Sequence, residues 1–272
     1  MKKLSSKALA LAAAAAWLGL ASSAHATWTF TGSSTSSNNS GTAGNITTMG
    51  GVSVTNGASN AGFGAGATWT TTALQYFSGG GLGMDSDGNT DPNHALDNNG
   101  KTEAVLLGFA NSVVLSSIGF GFTSDNNSGT SSDKVDVSLF RYVGSGTPAS
   151  LNGVAPSAMS GWELVGNYGD LIQDTLSPFN TVNTTAKGSS WWLVSAYNSG
   201  FTGAKETLNS SALDNGDDYF KLYALEGSKC TSTVAGVCGP GGSAPEPASL
   251  ALVAVALVGG AAATRRRAVK NA

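Results

Sequence analysis

The most informative run of ligating side chains in this sequence is Met84-Asp85-Ser86-Asp87-Gly88-Asn89-Thr90-Asp91, which sets oxygens at the alternate positions Asp85, Asp87, Asn89 and Asp91. Calcium takes six to eight oxygen ligands and accepts loop geometry. Asp97 or Glu103, a little further along, would complete such a shell. The spacing is not that of an EF-hand, because glycine stands at the fourth position instead of the sixth and position twelve is Leu96. A looser calcium loop and a solvated acidic turn both remain open. His94, Asp97 and Asn98 form a candidate ligand loop beside this run, and His94 is the only histidine after residue 26. A His–Asp neighbourhood suits half of a catalytic pair, and equally a hydrogen-bonded loop. No G-x-S-x-G elbow, H-E-x-x-H pair or phosphate-cradling glycine loop occurs. No catalytic residue is assigned, and the chain reads as non-enzymatic. Paired carboxylates for glycoside hydrolysis stay open, since their separation is spatial and not sequential.

Two further sets of residues bear on chemistry. Cys230 and Cys238 are an even, closely spaced pair, which in an oxidising compartment reads as a disulfide. Their spacing is not the redox C-x-x-C, and no histidine or further cysteine lies near for a metal. Trp162, Trp191, Trp192, Tyr197, Tyr219 and Tyr223 offer rings on which sugars stack, or rings that fill a core. Adjacent strand residues face opposite ways, so Trp191 and Trp192 are expected to split, one buried and one exposed.

The elements that must position these residues read as strands. Charged residues are only 11% of the chain, and glycine occurs 37 times, a composition that favours turns and short strands. Strand-like runs fall at 46–55, 68–77, 102–109, 113–123, 135–143, 190–197 and 219–225, separated by Gly, Asn, Asp and Pro. Residues 135–143 alternate strictly, which predicts a half-buried strand. One helical turn is predicted near 203–209. The expected fold class is all-β, an antiparallel, jelly-roll-like β-sandwich over residues 46–238. Residues 27–45 are rich in Ser, Thr, Asn and Gly and read as a flexible stretch. Residues 239–244 are a Gly/Pro/Ser linker.

Both ends carry targeting patterns. Lys2, Lys3 and Lys7, an apolar run over 8–20 and the small-x-small triplet ending at Ala26 have the layout of a secretory signal peptide, residues 1–26, cleaved by signal peptidase after Ala26. At the other end, Pro245-Glu246-Pro247 precedes an uncharged apolar segment at about 248–264 and the cluster Arg265, Arg266, Arg267. Seventeen residues of helix span roughly 25 Å at 1.5 Å each, slightly short of a hydrocarbon core of about 30 Å. The segment is therefore a marginal inner-membrane span. The arginines are expected to stay cytoplasmic, with the body outside. Between 27 and 244 the chain has seven basic and sixteen acidic residues, a formal charge of −9, which disfavours nucleic acid.

The ordered triplet at 245–272 resembles the PEP-CTERM sorting signal. The resemblance implies recognition by exosortase, a transpeptidase-like membrane enzyme of Gram-negative bacteria that make extracellular polysaccharide. It also implies a surface or matrix destination in biofilm, where the polysaccharide itself is an expected partner. The His94-Ala95-Leu96-Asp97-Asn98 loop, Glu103, the following apolar strand and the later Asp136-x-Ser138-Leu139 strand resemble exosortase-dependent surface proteins that bear this tail, over about 79–144. Three functional readings follow. They are a structural or adhesive surface protein, a calcium-dependent carbohydrate-binding module, and a secreted polysaccharide hydrolase.

Overall fold

The computed structural model describes residues 25–31, 34–38, 45–77, 80–86, 88, 94–125, 133–173 and 179–239. Nearly all of the regular structure is β. The strands are β1 (His25–Thr31), β2 (Ser34–Asn38), β3 (Ile46–Thr55), β4 (Thr70–Thr72), β5 (Leu74–Phe77), β6 (Gly81–Met84), β7 (Leu96–Asp97), β8 (Lys101–Asp125), β9 (Lys134–Tyr142), β10 (Trp162–Ile172), β11 (Phe179–Thr181), β12 (Gly188–Ala196), β13 (Glu206–Leu208) and β14 (Asp218–Lys229). Two single 3-10 turns lie at Ala58–Asn60 and Pro156–Ala158. Among the described residues no helix is long and apolar enough to cross a membrane. The signal peptide to residue 24, the sorting signal and its apolar segment lie outside them.

The strands form one mixed sheet in the order β13-β10-β9-β12-β8-β14-β1-β2, antiparallel except for the parallel β10–β13 pair. β8 is its axis. Its first part pairs with β3 on one edge and β12 on the other, and its second part pairs with β14 and β11. β9 and β14 are separated in the sheet by β12 and β8, yet the Asp136 N–H on β9 donates to Asp218 Oδ1 on β14 at 2.5 Å. The sheet therefore folds across itself. The main core lies in the fold, with Trp28, Leu107, Val137, Val194, Phe220 and Leu225 from five strands all buried in it. A second cluster of Val54, Trp69, Phe140, Leu164, Leu193 and Phe201 covers the opposite face of β9, β10 and β12.

That second cluster explains a departure from the sequence pattern. β9 was expected to bury one face. Instead Val135, Val137 and Leu139 face the main core while Asp136, Ser138 and Phe140 are also buried. The beginning of the body departs as well. Residues 27–31, expected to be flexible, belong to β1, which pairs with β14 and buries Trp28 and Phe30. Residues 34–38 form β2 against β1. The alternation Thr27-Trp28-Thr29-Phe30-Thr31 is a strand pattern with two large apolar side chains on one face. Cleavage after Ala26 would leave both aromatics in the body. The helical turn expected near 203–209 is instead the parallel strand β13.

Candidate metal centre

Five aspartates converge where β8 ends, β14 begins and the turn before β14 folds over β9. Asp125 is the last residue of β8, and the antiparallel register sets it opposite Asp218, the first of β14. Asp136 comes from β9. Asp214 and Asp217 come from the turn Asp214-Asn215-Gly216-Asp217, in which Gly216 has φ +102°. A side chain is strained at such a φ, and a Cβ at Gly216 would come within 2.5 Å of Asn60 Nδ2.

The five divide into two overlapping groups. One oxygen from each of Asp136, Asp214 and Asp218 lies within 4.8 Å of the others, and the same holds for Asp125, Asp214 and Asp217. Asp136 and Asp218 are buried and serve as scaffold. Asp136 Oδ1 accepts from the Asp170 N–H at 2.8 Å, and its Oδ2 accepts from the Asp214 N–H at 2.9 Å. Asp218 Oδ1 accepts from the Asp136 N–H, and its Oδ2 accepts from Asn98 Nδ2 at 2.6 Å. Asn98, fully buried, also takes the Asp218 N–H on Oδ1 at 2.9 Å and donates to the Tyr197 carbonyl at 2.9 Å. Asp125, Asp214 and Asp217 are half-buried, and Asp217 Oδ1 is enclosed with no donor on it among the described residues.

Such crowding changes the acids. Burial, opposed in part by the backbone donors and reinforced by the Asp214 charge, pushes Asp136 up to about 7. Burial followed by the charge of Asp214 pushes Asp217 up to about 7. Asp218 stands well above its ordinary value because it is buried and faces the charge of Asp136. Tyr197 is raised by burial and then by Asp136. Lys134, on β9 two residues before Asp136, is held by Asp170 at 2.9 Å. Carboxyls that hold protons near neutrality are those whose charge lacks compensation, and a cation supplies it. Oxygens on opposite sides of a calcium ion at 2.3–2.6 Å stand about 5 Å apart, close to the spacing found. The outer trio has the chemistry and spacing of cation ligands, and the inner pair fixes the backbone that carries them.

The run singled out in the sequence lies elsewhere. Asp85 Oδ1 accepts from the Gly88 N–H at 2.8 Å, and its Oδ2 is 3.5 Å from His94 Nδ1. The His94 ring stacks on Phe77. Buried Glu103 takes the Ser86 N–H at 3.0 Å and the Asp97 N–H at 3.3 Å, and Asp97 caps the Asn99 N–H at 2.9 Å. Those oxygens brace the loop. Asp87, Asn89 and Asp91 lie outside the described residues, as do Pro245, Glu246, Pro247 and the three arginines. Of the candidate ligand loop, only Asn98 reaches the aspartate cluster. The cluster itself was missed. Asp214, Asp217 and Asp218 put three acids in five residues, denser than the three in seven of Asp85, Asp87 and Asp91, but Asp125 joins them only through the β8–β14 register.

The remaining expectations fall as follows. Cys230 and Cys238 form a disulfide. Trp192 is fully buried, with Nε1 donating to the Ser189 carbonyl at 2.9 Å, and Trp191 is half-buried. Tyr219 is buried, while Trp162, Tyr197 and Tyr223 are half-buried. No family model, no curated protein and no solved structure matches this chain.

Proposed function

We propose that this is an exported surface or extracellular-matrix protein, sorted by exosortase through its C-terminal signal and displayed among extracellular polysaccharide in a structural or adhesive role. The folded sheet is read as a jelly-roll-like β-sandwich in which β8 belongs to both layers. The contact between β9 and β14 supports that reading. The observation that carries the sorting proposal is how the body ends. The Cys230–Cys238 bridge closes a short loop directly after β14. Arg141 Nη1 donates to the Val237 carbonyl at 2.9 Å, and Gly188 N–H donates to the same carbonyl at 2.6 Å. Ser112 Oγ donates to the Cys238 carbonyl. The body is thus stapled shut at Cys238, with six residues between it and Pro245, and a spacer and tail beyond that point can be inserted in a membrane, cut or replaced without disturbing the sheet.

The test is the intact mass of the mature protein recovered from its host. The expected species begins at Thr27 and lacks the Arg265–Arg266–Arg267 cluster. Recovery of fully secreted protein with the arginines still attached would overturn the sorting reading.

A cation-dependent form of this function is favoured by the five-aspartate cluster. Calcium is expected to bind Asp125, Asp214 and Asp217 and to tie the end of β8 to the turn before β14. Saturable calcium-dependent stabilisation, removed by a chelator, is the expected result. A melting curve indifferent to millimolar calcium at neutral pH would rule it out.

A further inference from the structure

On the covered face of the sheet lies a cavity of about 210 Å³. Its floor is Phe140 and Trp162, which stand on the same face of β9 and β10 because Trp162 is in register with Tyr142 and Leu164 with Phe140. Phe201 closes one side, its ring edge-on to Phe140 with centroids 4.8 Å apart. Tyr142 packs behind Trp162 at 5.5 Å and so holds the indole in place. At the mouth stand the exposed hydroxyl residues Ser157, on the 3-10 turn, and Thr202. Among the described residues no charged side chain lines the space. The ion pair of Glu163 with Arg141 at 3.0 Å belongs to the other face of the same strands.

From this geometry we infer that the cavity binds one ring of a neutral polysaccharide, with Trp162 as the stacking platform. A pyranose has an apolar face of C–H bonds and a rim of hydroxyls. It therefore matches a site with an aromatic floor and neutral hydroxyls at the entrance. A charged sugar would be desolvated against aromatic walls with no counter-charge, and the body as a whole carries the repelling sign, −9 between 27 and 244. Size selects too. Sites for drug-sized ligands enclose about 300–1,000 Å³, so this space admits a single residue of a chain that continues along the surface. The inference deepens the adhesive reading by naming its ligand class, and it rests on that reading only for biological meaning.

The experiment is calorimetric titration of the full chain, kept soluble in a detergent without a sugar headgroup. The probes are isomaltohexaose, cellohexaose and, as the anionic comparison, an alginate hexamer. The expected result is saturable heat with at least one neutral hexamer and none with alginate. Trp162→Ala should weaken binding at least tenfold. Ser157→Trp fills the mouth from an exposed position, so it should abolish binding while leaving the melting temperature unchanged. Absence of saturable heat with both neutral hexamers, equal binding of alginate, or binding unaffected by both variants would overturn the inference. None of these outcomes touches the sorting proposal, which is read from the processed ends of the exported protein.

Discussion

Two buried or half-buried charges decide most at the scale of single residues. Among the described residues Asp217 presents an oxygen with no donor on it, inside a cluster in which Asp136 and Asp218 brace the backbone. Asp217→Asn keeps the shape and removes one ligand charge, so calcium affinity should fall at least tenfold while the cation-free protein melts no lower. Equal affinity in the variant, measured by competition with a calcium-sensitive dye, would remove Asp217 from the site. Arg141 is buried at 3% exposure and donates to the Gly188 and Val237 carbonyls and to Glu163. Arg141→Met removes the guanidinium from the Gly188 carbonyl and the Glu163 carboxylate, and leaves the Val237 carbonyl with the Gly188 N–H alone. Breaking a buried pair in this way costs about 3–5 kcal/mol. Urea unfolding should show that loss, and Glu163→Gln, which keeps an acceptor for Arg141, should lose far less.

Among the elements, the terminal staple makes the clearest prediction. Removing the disulfide by the paired change Cys230→Ser and Cys238→Ser frees a nine-residue loop, worth about 2.5 kcal/mol by loop-closure entropy. That corresponds to roughly 5–10 °C in melting temperature at this size. Proteolysis should then cut first after β14, because Arg141, Ser112 and Gly188 no longer hold a closed loop. An unchanged melting temperature with no new cleavage would show that the hydrogen bonds alone hold this end. How much of these elements could be read in advance depended on whether apolar alternation was present. Residues 46–55 were delimited as β3 is observed, since Ile46, Met49, Val52 and Val54 stand between long runs of small polar residues. β8 was read as two strands, 102–109 and 113–123, because Asn111 and Ser112 interrupt the apolar pattern. The strand runs on through them, with a bulge in the β12 ladder between the Trp191–Gly108 and Ser189–Val113 pairs and the β14 ladder starting at Val113. β10 was missed outright, since Gly166, Asn167 and Gly169 look like loop. In the structure a Cβ at Gly169 would lie 2.6 Å from the Asn209 carbonyl oxygen. Glycine here marks close approach of neighbouring chain within a strand, a reason that only tertiary contacts reveal. The aspartate cluster was hidden for the same reason, because its members are up to 93 residues apart and meet through register alone.

For the molecule as a whole, the cluster makes stability depend on protons, and on cations if the proposed site is filled. Asp136 and Asp217 hold their protons up to about 7 in the folded state, whereas an unfolded aspartate releases its own near 3.9. Between these values the fold binds more protons than the unfolded chain, so stability falls as pH rises. The contribution is fully present in acid and is lost as pH climbs through about 7. One extra proton held by the fold amounts to at most about 1.4 kcal/mol per pH unit, roughly 2–4 °C for each kcal/mol at this size. The cation-free protein should therefore melt higher at pH 5 than at pH 7.5. Calcium bound at this cluster would invert the sign, since it would bind only the ionised carboxylates and so favour the folded state where protons are scarce. With calcium present the melting temperature should be flat or rise across the same window. Scanning calorimetry at both pH values, with calcium and with chelator, gives four temperatures that decide the matter. A pH slope left unchanged by calcium would mean that the cluster titrates without serving as a metal site. A stability that rises with pH under chelation would mean that the five carboxylates are not as strongly desolvated as their burial and crowding require.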